Sequence, residues 1–313
     1  MRPATPYSSD SSAAKEWPLI AHFEAAEARL GDFAARRAST AVFYEFLRFG
    51  CKQAWACLFG GAMVALLIGT HWWYPASAPV TRADFLFLAA LMIQGAMLAF
   101  RLESLDEAKV ILVYHVIGTV MEVFKTDVGS WAYIGAGFFH IGGVPLFSGF
   151  MYASIGSYIA RCWRLFDFRF TAHPPLRWLA LLAVAIYANF YSHHYLPDLR
   201  VGLFIATAVL CGKTWVHYRI WRVHRRMPLL LGLFLVALFV WFAENIGTLT
   251  ATWIYPHQQA AWSLVRLGKL GSWFLLLIVS YTLVAALNRP RRFSDSCTKE
   301  LAIGSTPQTR PLR

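Results

Sequence analysis

Charged residues are scarce in this chain: Asp, Glu, Lys and Arg make up 15% of 313 residues, against about 25% in a soluble domain. That shortage, with 58% hydrophobic and 16% aromatic residues, excludes an ordinary water-soluble fold. Cysteine is also sparse. The five cysteines, Cys51, Cys57, Cys162, Cys211 and Cys297, form no CxxC pair, which excludes a thiolate metal knuckle or a dithiol redox centre. No Walker loop, GxGxxG or Asp-rich DxxxD diphosphate motif occurs. The spaced HxxxH and HxxHH boxes of membrane di-iron enzymes are missing as well. The first residues, "MRPATPYSSDSSAAKEW", lack the basic-then-apolar order of a cleaved signal peptide.

What remains is a series of apolar stretches, each long enough for a membrane helix. The expected fold class is an all-α integral membrane protein with about eight transmembrane helices. Approximate limits are 53–73, 84–100, 108–124, 141–160, 178–193, 200–218, 228–250 and 267–287. Basic residues set the orientation. The formal charge is +12, and the basic residues collect in short loops, so membrane orientation accounts for them without nucleic acid. Arg101, Lys109, Arg161, Arg164, Arg169, Arg177, Arg219, Arg222, Arg225 and Arg226 fall in three loops on one side. Arg82, Lys125, Arg200, Arg266 and Lys269 fall on the other. The positive-inside rule then gives N-in and C-in, expected in a bacterial inner membrane.

Four regions follow from this layout. Residues 1–20 and 289–313 read as disordered cytosolic tails. Residues 21–50 read as an amphipathic interfacial helix or, alternatively, a partner-binding helix. Residues 51–288 are expected to hold the eight spans, arranged as two parallel four-helix repeats, about 51–165 and 175–288. The repeat rests on "EVFKTDVGSWAY" at 122–133 and "ENIGTLTATWIY" at 244–255. Glu122 matches Glu244, Thr126 matches Thr248, Ser130 matches Thr252, Trp131 matches Trp253, and Tyr133 matches Tyr255. Twofold symmetry about the membrane normal would bring the glutamates together.

Intramembrane polar groups concentrate in the outer half. His115, Thr119 and Glu122 share a helical face, and Glu244 lies 16 residues past Pro228, about 24 Å along a helix. Carboxyls at such depth cost several kcal/mol unless paired, so they mark either a polar cavity or interhelical hydrogen bonds. The cavity reading makes Glu122, Glu244, His193, His194 and Asp127 candidates for acid/base catalysis. His115, Asn189, Trp131, Tyr133, Asn245, Trp253, Tyr255 and Lys125 become candidate substrate contacts. No cofactor and no metal are expected. The expected partners are membrane lipid and a hydrophobic small molecule, with no nucleic acid.

The runs "GTVMEVFKTDVGSWAY", "GGVPLFSGFMYASIGSYIARCWRLFDFRF" and "NFYSHHYLPDLR" resemble the YoaT-like family, bacterial multi-pass membrane proteins of unknown function, over roughly residues 45–290. The two glutamate segments are also similar to pieces of CruF-type carotenoid hydratases and small membrane lycopene cyclases. That likeness implies proton chemistry at an isoprenoid double bond. Three functions stay open: an enzyme acting on a lipid or isoprenoid through the glutamates, a proton-coupled small-molecule transporter, and a metal-dependent membrane enzyme.

Overall fold

The computed structural model describes residues 37–100, 102–135 and 137–293, with Leu30's successor Gly31 and Ala34 as isolated positions before them. The two expected tails lie almost wholly outside the described residues, as does the first part of the 21–50 segment. Two compact units divide the chain at Cys51. In the first, the start of α1 (Ala38–Ala56) exposes Val42, Phe43, Phe46 and Leu47, an apolar face of the kind that lies against lipid. Just before α1's first full turn, the Thr40 hydroxyl donates to the Ala34 carbonyl at 2.7 Å.

The second unit is mostly helical. Its helices are α2 (Leu58–Trp73), α3 (Arg82–Ala99), α4 (Leu105–Asp127), α5 (Phe147–Phe166), α6 (Leu176–Ser192), α7 (Arg200–Cys211), α8 (Leu229–Leu249) and α9 (Gly268–Asn288). Phe59, Met63, Ala90, Phe150, Ala153, Leu179, Ile278 and Tyr281 build one core between α2, α3, α5, α6 and α9. The outside is apolar too: Val113, Val116 and Val120 of α4, Val201, Ile205 and Val209 of α7, and Phe239 and Phe242 of α8 are exposed. Water would not tolerate so much contiguous apolar surface, whereas a bilayer is the solvent that suits it. Three helices, α3, α8 and α9, are long and apolar enough to cross a membrane. A fourth crossing results if the pair interrupted at Cys57 is one span, and α6 and α7 are shorter apolar helices. Helices α4 and α5 carry more charge but pack closely on each other. Gly118, Gly149 and Gly156 bring them together: a Cβ at Gly156 would stand 2.7 Å from the Tyr114 ring.

Four expectations need correction. The chain is not purely helical. Residues 215–218, read as the end of a span, and Arg219, read as a loop residue, form strand β5, because "WVHYR" is aromatic and β-branched and suits a sheet. Strands β4 (Arg169–Thr171), β5 (Trp215–Arg219), β6 (His224–Pro228) and β8 (Arg291–Arg292) make one sheet in the order β6-β5-β4-β8, with β8 parallel to β4. The span expected at 141–160 begins only at Phe147. His140–Ile141 (β2) instead turns back onto Val144–Pro145 (β3) through Gly142 and Gly143, both at positive φ, the geometry a two-residue hairpin demands. Arg161 and Arg164 stand within α5, and Lys109 within α4, not in loops. Arg82 is likewise the first residue of α3; Arg101 lies outside the described residues.

Arg161 shows why loop counting missed it. It is fully buried, 3.5 Å from Glu103, and donates to the carbonyl of Trp55. Glu103 also accepts from Ser157 at 3.2 Å and from Gln94. Arg82 serves the opposite end of the helices, donating to the carbonyl of Leu67 at 2.9 Å and to that of Thr250 at 2.8 Å, the latter at the end of α8 where helix carbonyls lack intrahelical partners.

Candidate active site

The segments expected to match each other close their helices in the same way. After α4, Val128 N–H donates to Phe124, Gly129 to Thr126 and Ser130 to Lys125; after α8, Thr250 donates to Ile246, Ala251 to Thr248 and Thr252 to Gly247. Gly129 and Ala251 both adopt positive φ. The chains then pair as β1 (Ala132–Tyr133) and β7 (Trp253–Ile254), antiparallel, with Ala132 opposite Ile254 and Tyr133 opposite Trp253. Trp131 meets Tyr255 and Tyr133 meets Trp253, with ring centroids 6.0 and 6.4 Å apart.

This pairing sets two buried carboxyls inside an aromatic frame. Glu122 Oε2 accepts from Trp131 Nε1 and Tyr133 OH, each at 2.7 Å, and Oε1 accepts from Tyr152 OH at 2.6 Å. Glu244 accepts from Trp273 Nε1 at 2.6 Å and from the Tyr255 hydroxyl. The two carboxyls are within electrostatic reach of each other, and Lys269 is within reach of both. Its ammonium rests on the ring faces of Trp131 and Tyr255, 4.7 and 4.5 Å from their centroids. Such contacts stabilise a cation by the ring quadrupole. Steric room is kept by glycine. A Cβ at Gly118 would stand 2.8 Å from the Tyr152 ring, and one at Gly247 would overlap Trp253.

Of the residues expected at the site, Glu122, Glu244, Trp131, Tyr133, Trp253 and Tyr255 come together here. Lys125 and His194 form a second contact, Nζ to Nε2 at 2.7 Å, and His193 packs on His194 at 4.2 Å. Burial and the Lys125 charge hold the His194 imidazole below its ordinary range. The other polar candidates brace loops or helices. Asn189 donates to Asp198 and accepts from Leu199 N–H. Asn245 accepts from Val265 N–H at 2.9 Å and donates to the Trp241 carbonyl. His115 packs on Phe150 beside Gly149, in the α4–α5 seam. Asp127 is exposed at the end of α4. Tyr152, Trp273 and Lys269 were not among the expected site residues. Aromatics are common in this sequence, and nothing local marks which of them reach a carboxyl on another helix. Among the described residues, no three His, Cys, Asp or Glu side chains gather as a metal site requires.

Comparison with known proteins fits this architecture. Residues 45–281 match the family model described as "Protein of unknown function (DUF817)". The chain belongs to this family. One relative is the uncharacterized protein YoaT of Bacillus subtilis (strain 168), 41% identical over 252 residues, which cover 80% of this chain and 95% of YoaT. Both glutamate segments and every residue of the aromatic frame fall within the family match. No solved structure matches.

Proposed function

We propose that the chain is a membrane enzyme in which Glu122 and Glu244 act as acid and base on a lipid or isoprenoid substrate. The observation that carries this reading is the frame itself: two buried carboxyls, each held by aromatic donors, with a cation already resting on the faces of two of those rings. A carboxyl in such surroundings can hold or release a proton, and the rings favour positive charge developing nearby. An apolar groove nearby supports a hydrophobic substrate. It has a volume of about 560 Å³ and runs between α2 and α3, lined by Leu66, Gly69, Trp73, Phe85 and Ile93. Leu66 packs in the same cluster as Tyr133 and Trp253.

The proposed setting is a bacterial inner membrane crossed eight times, N-in and C-in, with Glu122 and Glu244 towards the outer side. Two related halves are supported by a constant interval. Glu122 and Glu244 stand 122 residues apart, and so do "THWWYP" at 70–75 and "SHHYLP" at 192–197. Ala132 and Ile254, which pair, are separated by the same interval. That relation also supports a second reading, a proton-coupled transporter, since related halves around an ionisable centre are a common transporter plan.

Lipid extracts of cells producing the wild type, Glu122→Gln or Glu244→Gln separate the two. A lipid or isoprenoid species that changes with the wild type alone is expected. Identical extracts at matched protein levels would overturn the enzyme reading and favour transport.

A further inference from the structure

Positive charge gathers at one end of α4, α7 and α9. Lys125, in the last turn of α4, is 2% exposed, yet the polar partner of its Nζ is a ring nitrogen, Nε2 of His194, and not a carboxylate. Beneath it lies the face of Phe190, 4.0 Å from Nζ to the ring centroid. Lys269, in the first turn of α9, also rests on rings, and among the described residues neither lysine has a carboxylate within 4.0 Å. Arg200, the first residue of α7, lies beside them. Its guanidinium reaches Asp198 at 2.5 Å and Ser272 Oγ of α9 at 3.4 Å. That contact brings together the start of α7 and the start of α9, both positive ends of helix dipoles.

The balance of charge is uneven around Lys125. The charges acting on it are Lys269 and Arg200 against Asp198 alone, and Asp198 is already engaged by Arg200 and Asn189. Glu122 and Glu244 act on Lys269, whereas Lys125 has only the shared Asp198 carboxylate within reach and none in direct contact. A buried ammonium without a counter-ion is costly, and an anion from outside the chain would complete it. Clustered lysine, arginine and helix N-termini suit phosphate oxygens in particular.

We infer that Lys125, Lys269, Arg200 and His194 form a binding site for a phosphate or diphosphate group beside the carboxyl pair. The inference rests on the acid/base reading and names the polar end of its substrate, a phosphorylated lipid whose tail would lie among apolar surfaces. The shared chemistry admits two sources, a lipid headgroup or a free phosphate.

The full chain in detergent, titrated with inorganic pyrophosphate by calorimetry, provides the test. A second arm uses phosphatidylcholine nanodiscs with and without phosphatidic acid, read by tryptophan fluorescence. Binding of pyrophosphate assigns a free anion, and a response to phosphatidic acid alone assigns a headgroup. Lys125→Gln and Lys269→Gln should each weaken binding about tenfold, equivalent to ~1.4 kcal/mol, while Lys125→Arg retains it, each variant eluting as the wild type does. Absence of binding in both arms, or wild-type binding by both glutamine variants, would overturn the site. Glu122→Gln should still bind pyrophosphate. If that variant binds and also keeps wild-type lipid chemistry, the acid/base reading fails while the anion site stands.

Discussion

Ala132 pairs with Ile254 across a two-residue antiparallel ladder, and the interval between them is the one that separates Glu122 from Glu244. The ladder therefore joins the segments that follow the two glutamates at equivalent distances along the chain. The flanking contacts obey the same relation, Trp131 with Tyr255 and Tyr133 with Trp253. Each glutamate is thus tied, through its own tyrosine, to a strand held by the opposite segment.

The ladder can be tested by cross-linking. Facing residues of an antiparallel pair have Cα atoms about 4.5–5.5 Å apart, within the span of a disulfide. Ala132→Cys combined with Ile254→Cys, in a chain with Cys51 and Cys57 replaced by serine, should oxidise readily to an internal bond. Peptide mass spectrometry would detect it. Persistently free thiols under mild oxidation would mean that the two loops are not paired.

Ala251 occupies the left-handed region that Gly129 occupies in the matching turn. An alanine there carries a steric penalty of about 1 kcal/mol that glycine escapes. Ala251→Gly should therefore raise thermal stability in detergent by up to roughly that amount. Gly129→Ala should lower it by about as much. Opposite signs in the two melting curves are the expected result; a loss in both would show that the turns differ.

The Glu103–Arg161 pair is buried on both sides. Arg161→Met strands a buried carboxylate and should cost about 3–5 kcal/mol. Adding Glu103→Leu removes the stranded charge, so the double variant should be more stable than Arg161→Met alone. Melting temperatures of the purified proteins would reveal the reversal, and simple additivity would argue against a direct pair.

Asp167 supplies a pH dependence. Burial alone would raise its carboxyl, but Arg169, with Arg219 and His224, holds it below the ordinary carboxylate range. The folded protein therefore favours the ionised form more than the unfolded chain does. This stabilisation is present above about pH 4 and is lost as pH falls through the depressed folded value. The wild type should lose stability on acidification below about pH 4 more steeply than Asp167→Asn, measured as melting temperature against pH.

The sequence made some features legible and hid others for physical reasons. Helices with continuous apolar faces, such as Leu229–Leu249 and Gly268–Asn288, are visible because lipid selects composition along the whole segment. The carboxyl pair was visible because Glu122 and Glu244 repeat with their aromatic neighbours. The strand Trp215–Arg219 was hidden, since a hydropathy window cannot separate an aromatic strand from the end of an apolar helix. Tyr152 and Trp273 were hidden for another reason. Their roles depend on which helix packs against which, and no local pattern encodes that. Arg161 misled because a basic residue close to a helix end counts as a loop marker, while its burial depends on Glu103 more than fifty positions earlier.

Glu122 has three donors and Glu244 two. In a dimer of identical chains, a twofold axis would force the same surroundings on both carboxyls, and any replacement would strike both at once. Here the partners belong to one continuous chain, so each position can vary independently. Tyr152 and Trp273 supply unlike donors to the two carboxyls. Two carboxyls thus sit in unlike surroundings inside one molecule, a difference that a symmetric dimer could not maintain.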